Sequence, residues 1–289
     1  MERNRQPPLT VAIQGEPGSF SHMAAEQLFG PDLRLVPSRT FDALFEAVVS
    51  RRADRGLVPV ENTLAGSVQG NLDGVLRHSV HAVAETRVRI RLCLVARPGM
   101  VLSAIRTAAS HPVALQQCHT FFRRHPEMEP VAVYDTAGSI RDLMSGNASY
   151  DAAIGSELAS RIYGAEIVQE EIEDDRENYT RFFAVSTEPG SDPGPRPKTS
   201  LAFVVAHEPG SLHRALGTFA HRGVDLTKLE SRPISGRPWE YRFFADVRGD
   251  PRGDLAACLE ELRGLAAEVH VLGTYPEWPG LAESSTGDT

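Results

Sequence analysis

The segment Thr187-Glu188-Pro189-Gly190-Ser191-Asp192-Pro193-Gly194-Pro195-Arg196-Pro197 constrains the fold of this chain more than any other. Six of its eleven residues are Pro or Gly, and no apolar period crosses it. Proline lacks a backbone donor and glycine loses the most conformational freedom on ordering, so neither helix nor strand is expected there. Residues 188–198 read as a linker between one domain over 9–187 and a second over 199–276. Residues 277–289 read as a tail, and Glu283 to Thr289 are small and polar.

The first domain alternates strand-like and helix-like segments. Leu9 to Gln14 predicts a short apolar strand ending at Gly15, with a helix following from about Ser19. Leu33 to Val36 predicts a strand, and Thr40 is placed to cap a helix with Phe41, Leu44, Phe45 and Val48 on one face. Gly56 to Val60 predicts a strand that stops at Glu61-Asn62, and Val88 to Ala96 one longer strand. Val113 to Leu115, Val131 to Tyr134 and Ala152 to Ile154 read as further short strands, each followed by a helical pattern. Such alternation favours an α/β architecture with largely parallel sheets. In these folds ligands sit beyond the carboxyl ends of strands, at helix N-termini. The polar clusters fall at those turns: Gly15 to Ser21, Glu61-Asn62-Thr63, Asp135 to Ser139 and Gly155-Ser156. From pattern alone, the first domain is a cleft for a small anionic molecule.

The second domain has another order. A strand over 200–206 is followed by a helix carrying Leu212, Leu216 and Phe219, then strands over 224–231 and 239–247. A helix with Leu255, Cys258, Leu259 and Leu262 and a last strand over 269–274 complete a βαββαβ, ferredoxin-like unit. Such a unit leaves sheet edges to cover, so pairing with another copy is expected.

Charge and cysteine content exclude several classes. Acids outnumber bases by 38 to 30, giving a net charge of −8, which argues against a nucleic-acid binder. Three cysteines, Cys93, Cys118 and Cys258, are odd in number and far apart, so neither a disulfide framework nor a cysteine-rich zinc module is expected. No apolar run approaches the ~18 residues of a membrane helix, and no apolar stretch follows the charged start as in a signal peptide. A cytoplasmic protein is therefore expected. His22, His111, His119 and His125 lack metal-ligand spacing, and the Gly15–Gly18 turn lacks the dinucleotide pattern G-x-G-x-x-G.

Five blocks in order resemble prephenate dehydratase, the cofactor-free enzyme that converts prephenate to phenylpyruvate. They are Gln14 to Ser21; Pro59-Val60-Glu61-Asn62-Thr63 with Gly66-Ser67-Val68; Ser110-His111-Pro112 with Gln117-Cys118; Ala153 to Ser156; and Asn178-Tyr179-Thr180-Arg181-Phe182. The resemblance implies a two-lobed, periplasmic-binding-protein-like (type II) catalytic domain and, in the second domain, an ACT regulatory module that senses L-phenylalanine. His207-Glu208-Pro209-Gly210-Ser211-Leu212 resembles the ACT effector motif Gly-Ala-Leu, with Ser211 where Ala is usual. Glu230-Ser231-Arg232-Pro233 matches the Glu-Ser-Arg-Pro motif as it stands. The implied partners are prephenate, L-phenylalanine and further copies of the chain as a dimer or tetramer, with no cofactor, metal, nucleic acid or membrane. Arogenate, in which an amine replaces the side-chain keto group, is the alternative substrate. A non-enzymatic small-anion sensor is the alternative class, which the intact Thr-Arg-Phe block argues against.

By position Thr180 is the family's catalytic threonine. A hydroxyl is a very weak acid, so a hydrogen bond to the departing hydroxyl suits it better than full proton transfer. Glu61 is the leading ionisable candidate for supplying that proton, against the plainer reading of a solvated loop acid. Arg181 is a candidate for pairing a substrate carboxylate, against a structural ion pair with Glu173 or Asp174. Ser19, Phe20, Ser21, Asn62, Ser67, Gln117, Thr136, Ser139, Asn178 and Phe182 complete the expected substrate shell. Adjacent Cys118 and His119 are not read as a nucleophile pair, because neighbours on a helix point different ways.

Overall fold

The computed structural model describes residues 7–68 and 70–279; the terminal part of the expected tail, 280–289, lies outside them. The chain divides into two compact units, one of residues up to 68 with 86–182, the other of 70–85 with residues from 183.

In chain order the elements are β1 (Leu9–Gln14), α1 (Phe20–Phe29), β2 (Leu33–Ser38), α2 (Phe41–Val49), β3 (Arg55–Asn62), β4 (Gly66–Ser67), α3 (Asn71–Arg77) and β5 (His81–Arg89). Then come β6 (Cys93–Ala96), β7 (Thr107–Ser110), α4 (Pro112–Gln116), α5 (His119–Arg124), β8 (Glu129–Ala132), α6 (Thr136–Met144), β9 (Ala152–Gly155), α7 (Glu157–Tyr163) and β10 (Glu166–Gln169). The return strand is β11 (Tyr179–Ser186), followed by β12 (Pro197–Val205), α8 (Ser211–Ala220), β13 (Leu226–Ile234), β14 (Arg237–Arg248), α9 (Ala256–Leu265) and β15 (Ala266–Pro276).

The first unit has two α/β lobes. One is built on the sheet β2-β1-β3-β11-β5, with β4 hairpinned onto β3. The other is built on β10-β6-β9-β7-β8. The chain leaves the first lobe after β5 and returns through β11, which inserts between β3 and β5, so the expected two-lobed fold is present. Val11, Ile13, Ala24, Leu57 and Phe182 form the core of the first lobe. Two apolar clusters, around Leu94 and Ile154 and around Ile140 and Leu143, cover the two faces of the second sheet.

Helices start where side-chain caps satisfy their first N–H groups. Ser19 Oγ accepts from His22 N at 3.3 Å, and Thr40 Oγ1 accepts from Ala43 N at 3.1 Å. Asp135 Oδ2 accepts from Gly138 N at 2.6 Å, and Ser156 Oγ from Ala159 N at 3.0 Å.

Four local expectations are corrected. Glu61 and Asn62 do not end the strand; they continue β3 and pair with Ser67 and Gly66 across a tight hairpin. The segment from Val88 to Ala96 is not one strand, because the chain crosses between lobes over residues 90–92. Val113 to Leu115 is helical: Pro112 opens α4, and His111 Nδ1 caps it by accepting from Val113 N at 3.3 Å. The linker is shorter than expected, since Pro197 already opens β12.

The second unit carries the expected βαββαβ order, as an antiparallel sheet β13-β14-β12-β15. Helices α8 and α9 share its core with Leu201, Phe203, Ala215, Phe219, Cys258 and Leu262. The unit also takes in residues 70–85, which the sequence reading placed in the first domain. A Cβ at Gly273 in β15 would lie 2.0 Å from Ala82 O, so the backbones meet only because that residue is glycine. Lys198, 1% exposed, places Nζ 3.1 Å from Glu85 Oε1, which also accepts from Trp278 N at 3.0 Å.

Breaking a buried ion pair from one side leaves an uncompensated charge, at a typical cost of ~3–5 kcal/mol. Lys198→Met is therefore expected to lower unfolding free energy by about that amount. A urea denaturation series checks this, and a loss below about 1 kcal/mol would contradict it.

Candidate functional site

The strand ends of the first unit converge on a cavity of about 440 Å³, within the range of small-molecule sites. Its first-lobe wall is Gln14, Ser19, Phe20, Ser21, Phe41, Pro59, Asn62, Ser67, Thr180 and Phe182. Its second-lobe wall is His111, Val113, Ala114, Gln117, Tyr134, Asp135 and Thr136, with Ile90 and Leu92 from the crossing segment. Among the described lining residues there is no Lys or Arg, and Asp135 is the one carboxylate.

Asn62 organises one wall. Its Oδ1 accepts from Leu64 N at 3.0 Å and Ala65 N at 2.8 Å, which holds the hairpin turn and fixes which end of the amide is oxygen. Its Nδ2 therefore faces β11, donating to Thr180 Oγ1 at 3.0 Å and to Asn178 Oδ1 at 2.8 Å. Thr180 is only 9% exposed and lines the cavity. Because its oxygen accepts from Asn62, its own hydroxyl proton is directed elsewhere, and the donated bond makes it a better donor.

The glycine turn is held from both lobes. Gly15 N donates to Ser38 O at 3.0 Å. Arg141 Nη1 lies 2.5 Å from Glu16 Oε1, Tyr163 OH donates to Pro17 O at 2.9 Å, and Ser156 Oγ donates to Gly18 O at 2.5 Å. Gly18 has φ +89°, and a Cβ there would lie 2.5 Å from Ala159 Cα, so both backbone angle and space demand glycine. This docking sets where Ser19 and Phe20 enter the cavity.

Nine predicted residues come together in the lining: Ser19, Phe20, Ser21, Asn62, Ser67, Gln117, Thr136, Thr180 and Phe182. Four do not. Glu61 and Arg181, the strand neighbours of Asn62 and Thr180, are not part of the lining. Arg181, 5% exposed, approaches Glu61 Oε2 at 3.5 Å. The lining therefore leaves out the two residues expected to supply a proton and to hold a carboxylate. The other partners considered for Arg181 are engaged elsewhere: Glu173 accepts from Leu92 N, and Asp174 caps α5. Ser139 is also outside the lining, inside α6 with its Oγ donating to Thr136 O at 2.6 Å. Asn178 is fully buried behind the wall, acting on Asn62 rather than on the cavity.

Sequence reasoning missed Asp135 as a site residue, although it marked the turn containing it. Asp135 is 7% exposed. Burial raises its pKa above the ordinary carboxylate value; the backbone N–H groups of Gly138 and Glu16 pull it down in part, and the nearby Glu16 charge adds to the rise. Cys118 is fully buried and its thiol is pushed far up by burial, in agreement with its rejection as a nucleophile.

A smaller cavity of about 130 Å³ lies in the second unit, lined by His207, Glu208, Ser211, Leu212, Trp239 and Tyr241 among others. Gly210 opens α8 with φ +81°. Glu230, Ser231, Arg232 and Pro233 lie on β13 outside that lining, and Glu230 pairs with Lys228 and Arg232. No group of three or more His, Cys, Asp or Glu suited to a metal occurs among the described residues. None of their helices is long and apolar enough to cross a membrane.

The prephenate dehydratase family profile matches residues 11–190. An Arabidopsis thaliana protein, arogenate dehydratase/prephenate dehydratase 2, is 38% identical over 278 residues, covering 92% of this chain and 72% of its own. Among solved structures, a quorum-quenching acylase, GqqA, superposes with a TM-score of 0.85 at 34% identity, over 93% of this chain and 98% of its own. The prephenate dehydratase of Arthrobacter aurescens, solved in complex with L-Phe, gives a TM-score of 0.82 at 30% identity, over 93% of this chain and 90% of its own. On the profile match and on an identity that extends over nearly its whole length, this chain belongs to the prephenate dehydratase family, lyases of phenylalanine biosynthesis.

Proposed function

We propose that this chain catalyses the decarboxylating dehydration of prephenate to phenylpyruvate, CO2 and water. The observation that carries this reading is the hydrogen bond from Asn62 Nδ2 to Thr180 Oγ1 in the cavity wall. The carbon–carbon bond to the ring carboxylate breaks, its electron pair enters the ring, and the hydroxyl across the ring departs. Aromatisation drives the step, so no cofactor is called for. Thr180 donates a hydrogen bond to the departing oxygen, and a proton drawn from solvent completes the water. Phe20, Phe41, Ile90, Leu92 and Phe182 supply the apolar walls that hold the ring and exclude bulk water. Positioning and hydrogen bonding of this kind supply most of the acceleration. The acylase of similar fold shows that the scaffold alone does not fix the reaction. Arogenate, with the same ring chemistry, is the second reading, favoured by the double name of the Arabidopsis relative.

The second unit is read as an ACT domain that lowers activity when L-phenylalanine binds. Support comes from the Arthrobacter relative solved with L-Phe and from the cavity that collects His207, Ser211 and Leu212. Its edge strand β13 is read as pairing with a second copy, in a dimer or tetramer. Three buried thiols, with Cys93 raised to about 11 by burial, suit a reducing cytoplasm.

Purified protein incubated with prephenate is expected to form phenylpyruvate, and millimolar L-phenylalanine to slow it. Turnover of neither prephenate nor arogenate would refute the enzyme reading; unchanged rates with phenylalanine would refute the regulatory one. Thr180→Val removes the hydroxyl at nearly constant volume. It is expected to lower kcat by roughly 10²- to 10³-fold with KM changed far less, because the bond matters chiefly in the transition state. A pure KM effect in steady-state kinetics would show that Thr180 only binds substrate.

A further inference from the structure

We propose that Asp135 lets the cavity take the α-amino acid beside the 2-keto acid of the reading above, by pairing with its ammonium. The proposal rests on the reading of the cavity as the dehydratase site and names the group that discriminates within it.

The charge pattern of the wall is the first observation. The described lining holds one carboxylate, no Lys and no Arg. Prephenate's two carboxylates and keto oxygen cannot donate to Asp135, and its ring hydroxyl is shared with the amino analogue and so does not distinguish the two. The amino analogue brings the same two carboxylates and an ammonium with three donors.

The second observation is how Asp135 is held. It is 7% exposed, lines the cavity and accepts from Gly138 N through Oδ2 at 2.6 Å. A carboxylate offers about four lone-pair positions, so this one backbone donor leaves acceptor capacity for a ligand. Burial raises its pKa despite the backbone donors that favour the ionised form. A cation from the ligand would offset more of the lost hydration.

The third is Gly15, whose backbone packs against the other oxygen: with φ +91°, a Cβ there would lie 2.7 Å from Asp135 Oδ1. A larger residue would displace the carboxylate. The glycine turn thus fixes Oδ1 while the helix cap anchors Oδ2.

Asp135 also caps α6, so the test must separate charge from capping. Asparagine and serine both cap helices well and neither carries charge. Wild-type enzyme, Asp135→Asn and Asp135→Ser are assayed with arogenate and with prephenate, and their melting temperatures are recorded. The loss of a buried charge-assisted hydrogen bond predicts that kcat/KM for arogenate falls about 10- to 100-fold in both variants, mostly through KM. The ratio of kcat/KM for arogenate to that for prephenate is therefore expected to fall in both variants, since prephenate has no ammonium pair with Asp135 to lose. An equal fall for both substrates would overturn the proposal in favour of a purely structural cap, and an unchanged ratio would overturn it as well. Wild-type enzyme that turns over prephenate but not arogenate would overturn the proposal alone. Turnover of neither would refute the dehydratase reading itself.

Discussion

The side-chain amide of Asn62 uses both its ends. Its oxygen accepts two backbone N–H groups of the β3–β4 turn, and its nitrogen donates to Thr180 Oγ1 and Asn178 Oδ1 on β11. Residues 116 and 118 positions apart in the chain are thereby held in one buried cluster. An unmade bond here would leave a buried polar group unsatisfied, at a cost of ~1–3 kcal/mol, so the geometry enforces itself. The hairpin turn, the register of Thr180 on the cavity wall and the orientation of its hydroxyl all depend on this one amide.

On β3 and β11, Pro59, Asn62, Thr180 and Phe182 line the cavity, whereas Glu61 and Arg181 are outside the lining and pair with each other. Beyond Phe182, β11 continues into the second unit, where the Phe183 and Tyr275 rings lie 5.3 Å apart. The same strand therefore supplies the cavity wall in one unit and an apolar anchor in the other.

Much of this was legible in the residues. Periodicity and capping residues placed α1, α2, α8 and α9, because local forces decide those elements. The Thr-Arg-Phe block and the glycine turn located the cavity. What failed needed tertiary knowledge. Glu61 and Arg181 looked like site charges because sequence shows adjacency, not which neighbours line a cavity. The helix at Pro112 was hidden by the apolar run Val113 to Leu115, which suits a short strand or helix equally. Residues 70–85 joined the second unit through a backbone approach at Gly273 and one buried ion pair, neither of which leaves a periodic trace. Asp135 was passed over within a turn marked for its backbone N–H groups and hydroxyls.

The net charge of −8 poses a problem for an anionic substrate, and the lining answers it with dipoles and hydrogen bonds rather than with Lys or Arg. In the proposed function attraction is thus local, and catalytic power is assigned to the preorganised Asn62–Thr180 pair. A double-mutant cycle of Asn62→Ala and Thr180→Val, read in kcat for prephenate with folding checked by thermal melting, tests this most directly. The account predicts that the double variant is scarcely slower than Thr180→Val alone, because Asn62 acts through that hydroxyl. Fully additive losses would contradict it, showing that the two side chains act independently.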